Sequence, residues 1–205
     1  MRHFDIVKFF EKKFNYQSYL EIGCANDDTF KRIECPIKVG VDPNRGGTIR
    51  TTSDDFFRKN TEKFDLIFID GLHLHEQVIR DINNSLIFLN ENGIILVHDC
   101  NPDKIAHQYR HQITGIWNGD VWKAICWFRQ RKDLNIYVTQ ECSGVGIIRK
   151  QPNENILVLK TKIKNITWSY FVNNRDKLLN LKKWEDIKKD YREGIYNHKK
   201  RFCIL

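Results

Sequence analysis

The sequence has no apolar run that approaches the roughly 20 residues needed for a membrane-spanning helix. Its first residues, MRHFDIVKFFEKKF, carry charges inside their apolar pattern, unlike the uninterrupted apolar core of a secretion signal. None of the six cysteines belongs to a CxxC pair, which argues against a disulfide framework or a zinc ribbon and predicts reduced thiols. These absences predict an intracellular, cytoplasmic protein.

Length and composition indicate one globular domain with a substantial core. The 205 residues are 41% hydrophobic and 29% charged, which is ordinary for a folded protein. Positive charge is concentrated at one end, because residues 1–150 have a net charge of +1 and residues 151–205 of +7. We therefore predict a domain at 1–150 and a basic, mainly helical extension at 151–205 that packs on it or on a partner. This positive charge is suited to binding phosphate groups, a nucleic acid or an anionic membrane. The alternative is that the lysines only form the solvated face of a helix.

The hydrophobic pattern alternates between the periods of helices and strands. Apolar runs predict strands at 18–24, 37–42, 47–52, 63–70, 94–99, 134–140 and 144–150. Helical spacing predicts one helix over 4–14, a second that begins at Asn26 and a third that begins at His75. It predicts further helices over 121–131, with Asp120 as the cap, and in the extension. The pattern is typical of a parallel sheet with helices on both faces, and the last two strands read as a hairpin. The predicted fold class is α/β: a doubly wound, mostly parallel, Rossmann-like seven-stranded sheet with a final antiparallel hairpin and a C-terminal helical extension.

Acids and histidines follow the predicted strands, where ligands bind in doubly wound sheets. These residues are Glu21, Gly23, Cys24, Asp42, Asp70, His73, His98 and Asp99. Gly23 permits a tight turn after the first strand. Asp42 ends the second strand, like the acid that binds ribose hydroxyls in dinucleotide folds. The GxGxxG fingerprint is absent, so the sequence lacks the main evidence for a nicotinamide or flavin cofactor with a pyrophosphate.

Taken together, the motifs resemble those of the class I S-adenosylmethionine (SAM)-dependent methyltransferases. The stretches that carry the resemblance are LEIGCAND, VGVDP, SDDFF, FDLIFIDGLHLHEQVIRDI, NGIILVHDCNP and GDVWKA. Within that class the chain is similar to a small metal-associated O-methyltransferase-type group, which has IDG-H after the fourth strand and HD after the fifth. The resemblance covers about residues 18–150 and leaves the basic extension outside it.

The resemblance implies SAM as the cofactor and assigns its site to Glu21, Gly23, Cys24, Asp42, Ser53, Asp54 and Asp70. It implies that Glu21 and Gly23 lie against the methionine part of SAM. Asp42 would pair with the ribose hydroxyls, and Ser53 and Asp54 would lie near the adenine. Structural explanations that need no cofactor stay open, since Gly23 can be required only by the turn and Ser53 can act only as a helix cap. The first motif also has Asn26 and Asp27 where the family usually has a further glycine.

The resemblance also implies a divalent cation. Asp70 and Asp99 match the acids that hold the ion in metal-dependent small-molecule O-methyltransferases. Cys100 stands where an amide is usual, which leaves His98 or Asn101 as the third ligand. Oxygen ligands suit Mg²⁺ or Mn²⁺, whereas histidine shifts the preference toward Mn²⁺, iron or zinc. Such an ion would lower the pKa of an acceptor hydroxyl.

His73 takes the place of the general base of the related enzymes, where a lysine often stands. A histidine titrates near neutrality and can accept a hydroxyl proton. The predicted catalytic group is therefore His73, Asp70 and His98, while His75 opens a helix. Residues 101–120 are expected to form a lid over the acceptor, with Trp117 in it.

Three functions remain in competition. The first is O-methylation of a small hydroxylated acceptor such as a sugar, a nucleotide-sugar or a specialised metabolite. The basic extension would be consistent with a phosphorylated acceptor, but nothing in the sequence selects one. The second is a nucleic-acid methyltransferase, disfavoured because DCNP follows the wrong strand for an amino-methylating motif and lacks its aromatic residue. The third is a non-catalytic SAM-binding scaffold. A homo-oligomer is compatible with each of them.

Overall fold

Seven strands form one mixed sheet in the computed structural model, which describes residues 1–193. The strands are β1 (Ser18–Ile22), β2 (Ile37–Val41), β3 (Phe64–Ile69), β4 (Leu89–Val97), β5 (Asn135–Thr139), β6 (Gly146–Arg149) and β7 (Leu181–Lys182). The α-helices are α1 (His3–Phe14), α2 (Ser53–Lys59), α3 (His75–Ile87), α4 (Trp122–Phe128), α5 (Trp168–Leu179) and α6 (Trp184–Arg192).

The order of strands across the sheet is β2-β1-β3-β4-β6-β5-β7. Strands β2, β1, β3 and β4 are parallel neighbours, and β6 runs antiparallel to both β4 and β5. The predicted α/β class, with a mostly parallel sheet and an antiparallel hairpin, is confirmed. The chain winds outward from β1 to β2 and then returns past β1 to β3, so the strand order reverses between β1 and β3.

Apolar side chains cover both faces of the sheet because its central strands are mostly apolar, so that successive residues on both faces are buried. On one face, α2, α3, α4 and α5 pack through residues that include Phe57, Ile82 and Trp122. On the other face, α1 and α6 pack through residues that include Phe10 and Ile187. The sheet is therefore rigid at the edge where the polar residues stand, which is what a site with fixed geometry requires.

The prediction of a third strand at 47–52 is wrong. Residues 47–52 contribute a single bridge between Val41 and Ile49 rather than a strand, and the amides of Thr48 and Ile49 both donate to the Gly40 carbonyl. The chain folds back here because Asp42 holds the amides of Asn44 and Arg45 in a tight turn. The seventh strand is β7, which pairs with β5 at the far edge of the sheet.

Three helix predictions also need correction. The segment from Asn26 forms turns and a short 3-10 helix at Phe30–Arg32. The helix predicted at 121–131 is α4, which ends at Phe128; its N-cap is Val121, whereas Asp120 bonds to His75. The helical spacing from Leu178 to Tyr191 is interrupted at Asn180, whose φ of 52° ends α5 before β7 and α6.

Part of the predicted basic extension, residues 194–205, lies outside the described residues, as does Cys203. The division at residue 150 stays a prediction. The five described cysteines are free thiols. Within residues 1–193, no helix has the length and apolar character needed to cross a membrane.

Candidate active site

The polar residues predicted from the strand ends meet at one edge of the sheet. The amide of Gly23 donates to Val41 O at 2.9 Å, the amide of Asp70 to Ile22 O at 2.8 Å, and the amide of His98 to Ile69 O at 3.0 Å. The sheet register therefore continues one residue beyond β1, β3 and β4, and it fixes where each following side chain begins. This edge is also where the strand order reverses, the usual ligand position in such sheets.

A cavity of about 450 Å³ opens at this edge, within the range of small-molecule sites. Its lining includes five of the predicted cofactor residues: Gly23, Asp42, Ser53, Asp54 and Asp70. A larger groove of about 830 Å³ lies at the opposite edge, beside Ile87, Leu134 and Lys150, and holds none of the predicted site residues. The smaller cavity is therefore the candidate ligand site.

Asp42 is buried and held in place by the backbone around the cavity. Its Oδ2 accepts from the Ala25 amide at 3.0 Å, and its Oδ1 accepts from the amides of Asn44 and Arg45 at 2.8 and 2.9 Å. Burial alone would raise the pKa of Asp42, but these backbone hydrogen bonds and the nearby Arg50 outweigh it and lower the pKa. The carboxylate is thus charged at neutral pH, and its remaining lone pairs can accept from a ligand hydroxyl.

Two lining residues, Gln77 and Asp81, were missed by sequence reasoning. Gln77 Nε2 donates to Ser53 Oγ, Asp54 Oδ1 and Asp81 Oδ1 at 3.0 to 3.2 Å. Burial raises the pKa of Asp81 to about 6. Ser53 is the first residue of α2 and the cap is Thr52, so the alternative of Ser53 as a cap fails. The i, i+4 spacing of Gln77 and Asp81 on α3 is the signal that could have shown that both face the cavity.

Glu21 and Cys24 are not among the residues that line the cavity. The Glu21 carboxylate is 1% exposed and accepts a hydrogen bond from the Tyr19 hydroxyl, on the face of the sheet that α1 covers. Burial raises the pKa of Glu21 to about 8. Cys24 is buried, with its thiol facing Glu21 O at 3.8 Å. Both residues are thus buried outside the cavity.

Beside the cavity, His73 has a defined tautomer. Its Nδ1 lies 2.7 Å from the Trp117 carbonyl oxygen, and a carbonyl can only accept, so Nδ1 carries the hydrogen. The Nε2 atom then faces two carboxylates, at 3.5 Å from Asp70 Oδ1 and 3.5 Å from Asp99 Oδ2. Ligand atoms of Asp70, His73 and Asp99 all lie within 4.8 Å of one another. The three residues thus form a compact acid and imidazole cluster that can hold a proton or a cation.

Asp99 reaches the cluster because its backbone turns sharply after β4. Its φ of 60° lies in the left-handed region, which is uncommon outside glycine and costs conformational energy. The next two residues are fixed, since the amides of Cys100 and Asn101 donate to Gly144 O and Ser143 O. Burial raises the pKa of Asp99 to about 6, whereas the neighbouring histidines hold the pKa of Asp70 well below its usual value against its burial.

His98 has oxygen acceptors at both ring nitrogens. Its Nδ1 lies 3.1 Å from Asp70 Oδ1 and its Nε2 lies 3.2 Å from Cys142 O. Burial would lower the pKa of His98, but the Asp70 and Asp99 carboxylates raise it to about 9. Donation from both nitrogens leaves His98 as an imidazolium that balances the two acids. The ring of His3, which sequence reasoning missed, lies 4.3 Å from the His98 ring between centroids.

Residues 105–120, which we call the strap, cross over this cluster. The Trp117 ring lies 4.9 Å from the His73 ring, and Asn118 Nδ2 donates to Asp99 Oδ1 at 2.7 Å. The amide of Asp120 donates to His73 O at 3.2 Å. The strap therefore contacts both the imidazole and one of the acids, and the lid over an acceptor expected for 101–120 stays a prediction.

A second group of ionisable residues fastens the strap to α3. Asp120, which is buried, accepts from the His75 amide at 2.8 Å and faces His75 Nδ1 at 2.7 Å. Arg110 donates to Asp120 Oδ2 at 2.9 Å and to Glu76 Oε2 at 3.0 Å, and Lys123 lies 3.8 Å from Asp120. Since two cations already face Asp120, ion pairing explains this group, and His75 is an anchor for the strap as well as the first residue of α3.

We expect Arg110→Gln to loosen the strap without unfolding the protein. Arg110 is half exposed, so its ion pairs contribute at most about 1 kcal/mol, which corresponds to roughly fivefold faster opening. Hydrogen exchange should therefore accelerate at the amides of Asn118, Gly119 and Asp120. Arg58→Gln, which removes an exposed ion pair on α2, is the control and should leave these amides unchanged. Equal exchange in wild type and Arg110→Gln would contradict this function of Arg110.

Comparison with known proteins is consistent with this geometry. A family model described as a methyltransferase domain matches residues 31–100, which include β2, β3, α3 and β4 with the acids that follow them. No protein of curated function matches the sequence significantly.

Solved structures share the fold at low sequence identity. An SAH-bound methyltransferase from Podospora anserina superposes with a TM-score of 0.55 at 17% identity, covering 72% of this chain and 77% of its own. A candidate caffeoyl-CoA O-methyltransferase from Staphylococcus aureus gives 0.55 at 16% identity, with coverage of 72% and 82%. The O-methyltransferase TomG from Streptomyces achromogenes, involved in tomaymycin synthesis and crystallised with SAM, gives 0.53 at 12% identity, with coverage of 72% and 79%.

Proposed function

We propose that this chain is a class I methyltransferase that uses SAM to methylate a hydroxyl group of a small acceptor with the help of a divalent cation, which its family-model match and its fold support. The observation that carries the proposal is the position of Asp70. Asp70 is among the residues that line the cavity, and its Oδ1 lies 3.5 Å from His73 Nε2 in the acid cluster. A donor in the cavity and a hydroxyl at the cluster would therefore meet at Asp70.

SAM is the proposed donor because the cavity offers what a nucleoside with a short amino-acid arm requires. Gly23 lines the cavity and lets the turn after β1 pack directly against the Asp70 backbone, and Asp42 presents a charged carboxylate for ribose hydroxyls. The Podospora anserina and Streptomyces achromogenes proteins were crystallised with SAH and SAM, which supports the same cofactor for this chain.

In the proposed reaction His73 receives the proton of the acceptor. Because Nδ1 donates to the Trp117 carbonyl, Nε2 is the nitrogen that gains or loses a proton. The Asp70 and Asp99 carboxylates raise the pKa of His73 against its burial, and in the neutral form the Nε2 lone pair can accept a hydroxyl proton. Asp70 and Asp99 would stabilise the imidazolium that forms, since each lies 3.5 Å from Nε2. SAM held beside Gly23 and Asp42 would supply a methyl group on a sulfonium sulfur, and that sulfur would leave with the electron pair of the carbon–sulfur bond as the acceptor oxygen took the methyl group. Alignment of the two reactants is the main further requirement.

The donor set of the cluster fits Mg²⁺ or Mn²⁺. Asp70 and Asp99 supply carboxylate oxygens, which are the ligands that such hard cations prefer. A cation held by these acids would supply Lewis acidity that lowers the pKa of the acceptor hydroxyl. His98, a predicted ligand, has an oxygen acceptor at each ring nitrogen, so we propose that it balances the charge of Asp70 instead.

The cofactor assignment is tested by Asp42→Asn. Replacing a charged acceptor of ribose hydroxyls by a neutral amide should weaken SAM and SAH binding by about 10- to 100-fold, from the roughly 1.5–3 kcal/mol of a hydrogen bond to a charged group. Isothermal titration calorimetry with SAH measures the change. Asp133→Asn, at an exposed ion pair far from the cavity, is the control. Unchanged SAH affinity in Asp42→Asn would remove Asp42 from the cofactor site.

The proposed acceptor is a sugar, a nucleotide-sugar or a specialised metabolite, and the charge of the basic extension is consistent with a phosphorylated one. A screen of phenols, sugars and sugar nucleotides for SAM-dependent turnover would identify it. SAH binding without turnover on any hydroxyl would favour the scaffold alternative, and turnover on DNA or RNA would favour the nucleic-acid alternative. No binding of SAM or SAH would refute the enzyme functions together.

A further inference from the structure

Asn118 has a carboxamide oxygen that is buried and lacks a hydrogen-bond partner among residues 1–193. The residue is 1% exposed, and its Nδ2 donates to Asp99 Oδ1 at 2.7 Å. Buried polar atoms are almost always bonded, so an orphaned oxygen beside a carboxylate cluster indicates a partner that the protein itself does not provide. The amide orientation is well defined, because the opposite one would direct an oxygen at the Asp99 carboxylate.

The cluster also lacks the amide expected after β4. Cys100 occupies that position, and its thiol is directed at Val97 O and His98 O. The amide of Asn101 is used elsewhere, because Nδ2 donates to Gln140 O at 3.3 Å and Oδ1 accepts from Arg175 at 3.2 Å. Neither residue that follows Asp99 therefore offers a free neutral oxygen to the cluster.

We propose that Asn118 supplies this missing amide from the strap. Its Nδ2 fixes Asp99 by occupying Oδ1, so that Oδ2 faces His73, and its Oδ1 provides a neutral oxygen to the divalent cation or to a water molecule on that cation. The inference rests on the proposed cation-assisted function. It changes the predicted ligand set to two carboxylates and one amide, with the amide contributed by a different part of the chain.

The strap holds Asn118 firmly enough for this role. The amides of Asn118 and Gly119 both donate to His107 O, at 2.8 and 3.0 Å. Gly119 has a φ of 58°, and a Cβ atom there would lie 1.8 Å from His73 O, so only glycine allows the strap to come this close. Ligating side chains need such support if they are to keep their geometry.

Mn²⁺ binding to the full-length protein tests the proposal. Isothermal titration calorimetry and electron paramagnetic resonance of bound Mn²⁺ would compare wild type, Asn118→Ala, Asn118→Asp and Asn101→Ala. We expect Asn118→Ala to weaken Mn²⁺ binding by about 10- to 100-fold, the usual effect of losing a supporting or ligating group. Asn101→Ala is the matched control, since it also removes a buried amide, and its Mn²⁺ affinity should stay within about threefold of wild type.

Asn118→Asp separates ligation from a purely structural role. A carboxylate keeps an oxygen ligand but cannot donate to Asp99, so this variant should be less stable without metal and should bind Mn²⁺ more tightly than Asn118→Ala. If Asn118→Ala binds Mn²⁺ like wild type, or if both variants lose affinity only as they lose thermal stability, the proposal is refuted. If wild type itself binds SAH but no Mn²⁺, the cation and this inference fail together, while the cofactor assignment stands.

Discussion

Replacing Asp70 by Asn is expected to lower kcat by about 10³-fold, the largest loss of activity for any single substitution at the cluster. Asp70 is charged, since the neighbouring histidines keep its pKa low, and it lies against both His73 and His98. The substitution removes the charge that would stabilise the His73 imidazolium and one of the two carboxylates proposed for the cation. SAH affinity should change much less than kcat, because Asp42 and the Gly23 turn remain.

Steady-state kinetics on an identified acceptor, with and without chelator, would measure this effect. Asp103→Asn is the control, since Asp103 follows the neighbouring strand β4 and is exposed. Chelation should reduce wild-type activity strongly and should have little further effect on Asp70→Asn. Full activity of chelated wild type would leave His73 as the sole base and would remove the cation from the mechanism.

Gly23→Ala is expected to abolish cofactor binding and to destabilise the whole domain. Gly23 has a φ of 87°, and a Cβ atom there would lie 2.3 Å from Asp70 O and 2.5 Å from Gly71 Cα. The backbone after β3 must shift to relieve this overlap, and that shift would displace Asp70. A cost of about 3 kcal/mol from strain and displacement corresponds to a decrease in Tm of roughly 6–12 °C.

Differential scanning calorimetry and SAH titration would test Gly23→Ala side by side. Gly115→Ala provides an unusually clean control, because a Cβ atom at Gly115 would meet nothing within 4 Å. We expect the control to keep the wild-type Tm and SAH affinity. A Gly23→Ala protein with wild-type Tm would show that the turn after β1 is more adaptable than its close contact with Asp70 indicates.

The fold could be predicted largely from periodicity. Central strands such as β3, which is apolar except for Asp65, are buried on both faces, and this leaves a strong local signal. The short edge strands leave only a weak signal in the sequence. Residues 47–52 have β-branched residues but turn back on Gly40, whereas Leu181–Lys182 lie in a helical pattern and become a strand only because β5 offers them an edge.

The candidate site could be predicted only where its residues follow a strand. Asp42, Asp70 and Asp99 were found because the carboxyl ends of parallel strands meet at one edge. Gln77 and Asp81 could have been found from their spacing on α3, but their direction depends on how that helix packs. Asn118 and His3 left no local signal, since each reaches the cluster from a segment distant in sequence.

The IFIDGLHLH segment shows most clearly how the two sources differ. The sequence by itself determined that an apolar strand ends at Asp70 and that His75 begins a helix, because apolar runs and helical spacing are local properties of the chain. Only the tertiary structure decided what the two histidines contact. The Trp117 carbonyl sets the tautomer of His73, and the Asp120 carboxylate binds His75 as an anchor for the strap. Hydrogen-bond partners more than 40 residues away depend on how the strap closes over the sheet edge, and no local pattern encodes that.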